Sequence, residues 1–449
     1  MRRHIRRHRH HWLSLRAWRT RLIFWLGAVL VGVAAAVFAL LGEQADHFYR
    51  DHVASSVWLP FVVTPFGLMA AAWITRRFFP GAEGSGIPQT LVALSSTGGA
   101  LCGRLLAVRI VFGKILLTVM GLFSGASIGR EGPTVHVGAA IMYSIGQYAH
   151  VPARYLKRGL ILTGGGAGVA AAFNTPLAGV MFAIEEMAGS FDRRNIGMMV
   201  IGIVFAGMTA IFIHQDNYNY YGAMPADLDF NWIWLAVAVC GIAGGLLGGS
   251  FSAALIWSTS KLRPYMSRHS LKVAFVCGLV LAAIGALSGG IVYGTGYIEA
   301  KQIVSCSGVE HCEVEVGLAY PFLKILATIA SYLSAIPAGI FAPSLATGAG
   351  LGHDIAQLFP EHLMSAVVVL GMVGYFSGVV QTPITAFVIV MEMTDNQDMV
   401  LAMMATSLLA SGASKLICRR PIYSALAKNF LHGLMEEKKE KIAGKPESQ

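Results

Sequence analysis

Gly129-Arg130-Glu131-Gly132-Pro133 sets a carboxylate, a guanidinium, two glycines and a proline into surroundings that are otherwise apolar. What these five residues mean depends on the solvent around them. Of the 449 residues, 55% are hydrophobic and only 13% are charged, with a mean hydropathy of +0.60, whereas soluble domains carry roughly 25% charged residues. Such a chain cannot cover its own apolar surface in water, so lipid must replace much of the solvent. A helix broken by glycine and proline frees backbone N–H and C=O groups. Within a bilayer that is tolerated only where those groups are buried in protein or line a watery cavity. The five residues therefore mark a path through an all-α, polytopic membrane protein.

Long apolar stretches recur on either side of them, at about 22–41, 57–73, 196–213, 232–256, 273–287 and 401–410. They predict a basic tail over residues 1–20, a transmembrane domain over 21–431 and a charged tail over 432–449. The transmembrane domain divides into halves at about 21–215 and 230–431. Nothing after Tyr423 is long enough to fold separately, so no regulatory nucleotide-binding module is expected.

The formal charge of +10 gathers at the two ends, in the run from Arg2 to His11 and in Arg419, Arg420, Lys438, Lys439, Lys441 and Lys445. Basic segments beside apolar helices stay cytoplasmic and meet anionic lipid there. Both termini are thus expected in the cytoplasm, with lipid and not nucleic acid as the partner of the positive charge. The His-rich start reads alternatively as a metal tract, and it lacks a signal-peptide cleavage pattern. Of six cysteines, most lie in apolar runs as small hydrophobes. Cys306 and Cys312 instead flank a polar insert, either as a disulfide in an oxidising compartment or as two free thiols.

The chain also repeats itself. Asn174-Thr175-Pro176, an apolar helix and Glu185 can be laid on Gln381-Thr382-Pro383, an apolar helix and Glu392. Gly129 to Pro133 and Gly339 to Pro343 share a Gly-x-x-x-Pro frame at a similar separation. An odd number of spans in each half would set the halves in opposite orientation.

Further breaks fall at 84–88, 164–176 and 337–343, while Gly244, Gly245, Gly248 and Gly249 read as close helix packing. Proline favours the first helical turn, so Pro88, Pro133 and Pro343 predict helix starts aimed into the protein. Unpaired N–H groups and the partial positive charge of a helix start form an anion site without a fixed cation. Transport suits such a site, because the ion must leave again.

Gly84-Ser85-Gly86-Ile87-Pro88, Gly129 to Pro133, Gly339-Ile340-Phe341-Ala342-Pro343 and Pro421-Ile422-Tyr423-Ser424 resemble, in order, the motifs of the CLC chloride channels and transporters. Asn174 to Gly179 and Met391 to Asn396 look similar to that family as well, and the likeness runs from about residue 28 to 431. It implies a homodimer in which each subunit has its own pathway, built from two inverted repeats of tilted, interrupted helices. It further implies that Ser85 and Tyr423 donate hydroxyl hydrogen bonds to chloride, completed by the backbone N–H groups of Ile340 and Phe341. Serine at position 85 goes with chloride in place of nitrate. Glu131 matches the external gating glutamate. A carboxylate resembles a chloride ion, so its ionised form can close the path and its protonated form release it.

Glu186 matches the internal proton-transfer glutamate of exchangers, where several channels carry an apolar residue. The resemblance thus implies chloride/proton antiport, with a passive gated chloride channel as the alternative. Two departures stand out: Gln89 replaces a usual Glu, and Leu91 stands where related exchangers carry an acid. Lys114, which matches a family lysine near the proton route, is therefore expected to lack an acidic partner. No cofactor, resident metal or enzymatic activity is expected, since the sequence has neither His-Glu-x-x-His nor a pair of intramembrane aspartates. His136 is expected to pack or to line the path, and the preferred setting is a bacterial inner membrane.

Overall fold

Among the described residues, seven helical stretches are at least 18 residues long and apolar enough to cross a membrane. The computed structural model describes residues 15–96, 99–149, 156–189, 196–214, 221, 230–307 and 316–443. The first half contains α1 (Leu15–Tyr49), α2 (Leu59–Phe78), α3 (Ile87–Ser95), α4 (Gly99–Leu105), α5 (Val108–Phe123), α6 (Glu131–Tyr148), α7 (Leu156–Phe173), α8 (Pro176–Phe182) and α9 (Ile196–His214). The second contains α10 (Phe230–Leu287), α11 (Tyr297–Cys306), α12 (Tyr320–Leu333), α13 (Phe341–Ala356), α14 (Met364–Val380), α15 (Pro383–Thr394), α16 (Val400–Ile417) and α17 (Ile422–Ala443). The two stretches anticipated at 232–256 and 273–287 are arms of α10, which bends at the non-helical His269.

Burial sorts these helices into layers. The apolar window of α14 is 89% buried while that of α9 is 33% buried, so α14 is central and α9 peripheral, with residues such as Phe212 left outward for lipid. Small residues let the central helices touch through their backbones. A Cβ at Gly244 or Gly248 would meet the main chain of α14 between Gly374 and Val379, and one at Gly245 or Gly249 would meet that of α16 at Ala410 or Ser414. This is the packing expected of these four glycines.

The halves are related by an approximate two-fold axis, and the proof lies in reciprocal contacts, which only a two-fold relation gives to equivalent residues. Gly129 N donates to Gly339 O at 2.8 Å and Gly339 N donates to Gly129 O at 3.0 Å. Glu392 accepts Leu177 N at 3.1 Å and Ala178 N at 2.7 Å, while Glu185 accepts Ile384 N at 3.2 Å and Thr385 N at 2.7 Å. Each half thus caps the start of the other half's Thr-Pro helix with a carboxylate, satisfying amides that have no intrahelical acceptor.

Asn174 and Gln381, just before those helices, both adopt a left-handed conformation, with φ of 58° and 57°. The repeat reaches further than its sequence does. Gly84, Gly86 and Lys114 correspond to Gly294, Gly296 and Lys324, each pair 210 residues apart, and all four glycines have positive φ.

Cys306, at the end of α11, is disulfide-bonded, whereas Cys102, Cys240, Cys277 and Cys418 are free; Cys312 lies outside the described residues. Alkylation of the denatured protein without reductant should therefore leave two of the six cysteines unlabelled by intact mass, and labelling of all six would exclude the bond.

Candidate functional site

Four helix starts converge near the middle of the fold. Those of α3 and α6 come from the first half and those of α13 and α17 from the second. Pro88, Pro133 and Pro343 each occupy the first turn of their helix, as anticipated. The preceding loops are held edge to edge. Gly84 N donates to Ile336 O at 3.0 Å and Ala338 N to Gly84 O at 3.1 Å, beside the Gly129–Gly339 pair.

Glu131 opens α6 and is 3% exposed. Its carboxylate turns to the start of α13, where Oε2 accepts Ala342 N at 3.4 Å, and it lies against the amides of Arg130 and of Glu131 itself. An anionic group here occupies a position that two helix starts prepare for an anion. Arg130 sends Nη1 to Ala39 O at 2.5 Å, fastening the loop to α1.

One step further along lie Ser85 and Tyr423. Both are wholly buried, their side chains face one another, and neither hydroxyl has a partner among the described residues. An unsatisfied buried hydroxyl costs about 1–3 kcal/mol, so two that face one another favour an acceptor between them. Gly132 has no room for a Cβ because the Ser85 hydroxyl and carbonyl oxygen occupy that space. Phe341 packs edge-on against Tyr423, with ring centroids 5.6 Å apart, and against Phe376, at 5.1 Å. The Ile340 and Phe341 amides stand at the head of α13. Chloride accepts hydrogen bonds from hydroxyls and amides, so the orphaned donors fit such an ion.

Glu186 follows Glu185 in a π-helical turn, Ala183–Ala188, that ends α8. Such turns splay neighbouring side chains and often mark functional positions. Glu185 is spent on the α15 cap, while Glu186 lies within electrostatic reach of Tyr423. The sequence pair is therefore divided between a structural and an inward-facing carboxylate.

Lys114 is fully buried and is held by backbone carbonyls: Nζ donates to Gly84 O at 2.6 Å and approaches Glu83 O at 3.5 Å. Gln89 Nε2 also donates to Glu83 O, at 2.5 Å. Together they hold the loop that presents Ser85. Lys324 does the same in the second half, bonding Val292 O at 2.9 Å and Gly294 O at 3.1 Å. His136 packs on Gly86 and meets Leu105 O at 2.9 Å. No cluster of potential metal ligands occurs among the described residues.

Cavities approach the site from both faces. One of about 530 Å³ reaches Gly84 and Gln89 past Arg76, Arg104 and Arg263; the other, of about 470 Å³, reaches Arg130 past Tyr297 and Lys301. The first mouth carries an excess of cations, which concentrates anions, whereas the second sets Arg130 and Lys301 beside Glu43 and Asp46.

Residues 66–415 match the protein family described as "Voltage gated chloride channel". The H(+)/Cl(−) exchange transporter ClcA of Yersinia pseudotuberculosis serotype IB (strain PB1/+) is 28% identical over 447 residues, covering 95% of this chain and 92% of the relative. ClcA of Salmonella typhimurium (strain LT2) is 28% identical over 418 residues, covering 90% and 85%. Among solved structures, a slow cyanobacterial Cl−/H+ antiporter superposes with a TM-score of 0.76 at 23% identity, covering 92% of this chain and 98% of that one. A CLC-type fluoride/proton antiporter gives 0.76 at 22% identity with the same coverage.

Proposed function

The chain belongs to the voltage-gated chloride channel family, and from that premise we propose that it exchanges chloride for protons across the membrane. The observation that carries this reading is the Glu131 carboxylate seated on the Ala342 amide. A tethered acid that takes the place of an anion makes chloride and a proton compete for the same step. The names of the ClcA relatives support the same exchange.

In this reading chloride arrives through the arginine-lined cavity and is held by the Ser85 and Tyr423 hydroxyls with the Ile340 and Phe341 amides. Ionised Glu131 then blocks the outward step. A proton neutralises Glu131, which ends its likeness to an anion and frees the Ala342 amide for chloride. Glu186 supplies or receives that proton from the inner face, so protons and chloride reach the centre by different doors. Gly84, Gly86, Pro88, Gly129, Arg130, Gly132, Pro133 and Lys114 hold the loops that aim these groups. Chloride is cargo in this scheme, and no resident cofactor or enzymatic step takes part.

We place the protein as a homodimer in a bacterial inner membrane with both termini cytoplasmic, each subunit carrying one transmembrane domain of two halves. The basic residues that end α16 and follow it, Lys415, Arg419 and Arg420, support that orientation.

Purified protein in liposomes under a chloride gradient should drive measurable proton movement against an imposed pH balance. Flux whose reversal potential follows chloride alone would make the protein a channel. Glu186→Val should cut proton movement by about 10²-fold, the scale of a lost proton-transfer group, with chloride movement retained. Unchanged coupling in that variant would remove Glu186 from the proton route.

A further inference from the structure

Lys261, Arg419, Arg420 and Lys428 line another cavity of about 530 Å³, which shares Asn429 with the arginine-lined cavity below the ion site, and none of its lining residues is acidic. Three helices bring these cations together. Lys261 lies one turn beyond Trp257 on the first arm of α10, Arg419 and Arg420 follow the end of α16, and Lys428 projects from α17.

The level of the cavity is set by composition. The apolar window of α16 stops at Ile417, two residues before Arg419. Trp257 is 67% exposed, as an aromatic side chain is at the boundary between hydrocarbon and headgroups. The wall formed by Trp257 and Ile417 thus faces acyl chains while the four cations face headgroups. Asn429, which also lines the cavity, has a buried Nδ2 donor with no partner among the described residues.

We infer that this cavity binds the headgroup of an anionic phospholipid, with its chains lying along Trp257. Four like charges round one concave space repel each other until an anion neutralises them. Basic pockets between transmembrane helices on the cytoplasmic side recognise anionic headgroups in this way. A small free anion would use the cations and Asn429 but gain nothing from the apolar wall. The segment that carries the arginines runs directly into Tyr423, and Cys418 O in the same segment accepts Gln381 Nε2 at 2.7 Å. A bound headgroup would therefore brace the strand of chain that positions the Tyr423 hydroxyl. The binding site stands whether or not the protein couples chloride to protons.

The test is native mass spectrometry of the full chain in detergent with added phosphatidylglycerol or phosphatidylcholine. Retained phosphatidylglycerol should exceed phosphatidylcholine, and Arg419→Gln/Arg420→Gln/Lys428→Gln should lower its retention by roughly tenfold or more. Lys261→Gln, a milder change, should show a smaller loss and serves if the triple variant fails to fold. Inorganic phosphate should not displace the lipid. Equal retention by wild type and both variants would overturn the site. Displacement by phosphate would likewise overturn the lipid assignment, in favour of a free-anion site.

Discussion

Replacing Glu131 by glutamine should abolish proton coupling and leave chloride movement intact. Glutamine keeps the size and shape of the side chain but carries no charge and exchanges no proton. It cannot stand in for an anion at the head of α13, so the Ala342 amide now held by Oε2 becomes available to chloride at all times. Proton flux should fall by about 10²-fold or more, as expected when a positioned proton acceptor is lost.

The pH dependence should vanish as well. In the wild type, acidification protonates the acid, removes the block and raises chloride flux. The variant should show a flat profile over the same range. Simultaneous recordings of chloride and pH from liposomes check both statements, and retained coupling in Glu131→Gln would assign the proton to another residue.

Gly339→Ala should prevent stable folding. A Cβ at this position would sit 2.5 Å from Gly129 O and 2.8 Å from Gly129 C, with Pro133 Cδ at 3.0 Å. None of these atoms is the free end of a flexible side chain, so the backbones themselves must part. Overpacking of this kind costs about 1–3 kcal/mol, and separating the loops also breaks two buried backbone hydrogen bonds at about 1 kcal/mol each. The combined loss is a large part of the stability of an ordinary domain, about 5–15 kcal/mol. Gly412→Ala is the matched control, because nothing lies within 4 Å of the Cβ it adds. Thermal size-exclusion profiles of the two variants should differ widely; equal stability would mean that the paired loops do not hold the halves together.

The fold was readable where the chain breaks its own pattern. Pro88, Pro133 and Pro343 announced inward helix starts because proline in a first turn has a local cause. The matched Thr-Pro helices announced the repeat because both copies keep their carboxylate. Gly294-Thr295-Gly296 does not read as the counterpart of Gly84-Ser85-Gly86, since Tyr297 and Ile298 follow it where Ile87 and Pro88 follow the first copy. A lysine thirty residues beyond each glycine pair, Lys114 and Lys324, was the available signal.

Other features had no signature in one dimension. The partners of Lys114 are backbone carbonyls, which every residue possesses and no sequence displays. Glu185 and Glu186 are neighbours of identical chemistry, and only the π turn with the distant start of α15 gives them different tasks. The facing hydroxyls of Ser85 and Tyr423, far apart in the chain, were placed by resemblance and meet only through tertiary structure.

Crystals soaked in bromide and measured at its absorption edge test most directly whether interrupted helices hold an anion that Glu131 contests. Wild-type protein should show one anomalous peak within hydrogen-bonding reach of Ser85 Oγ and the Tyr423 hydroxyl. Glu131→Gln should show that peak and a second one at the Ala342 amide. No peak between the two hydroxyls, or an identical pattern in both proteins, would contradict it.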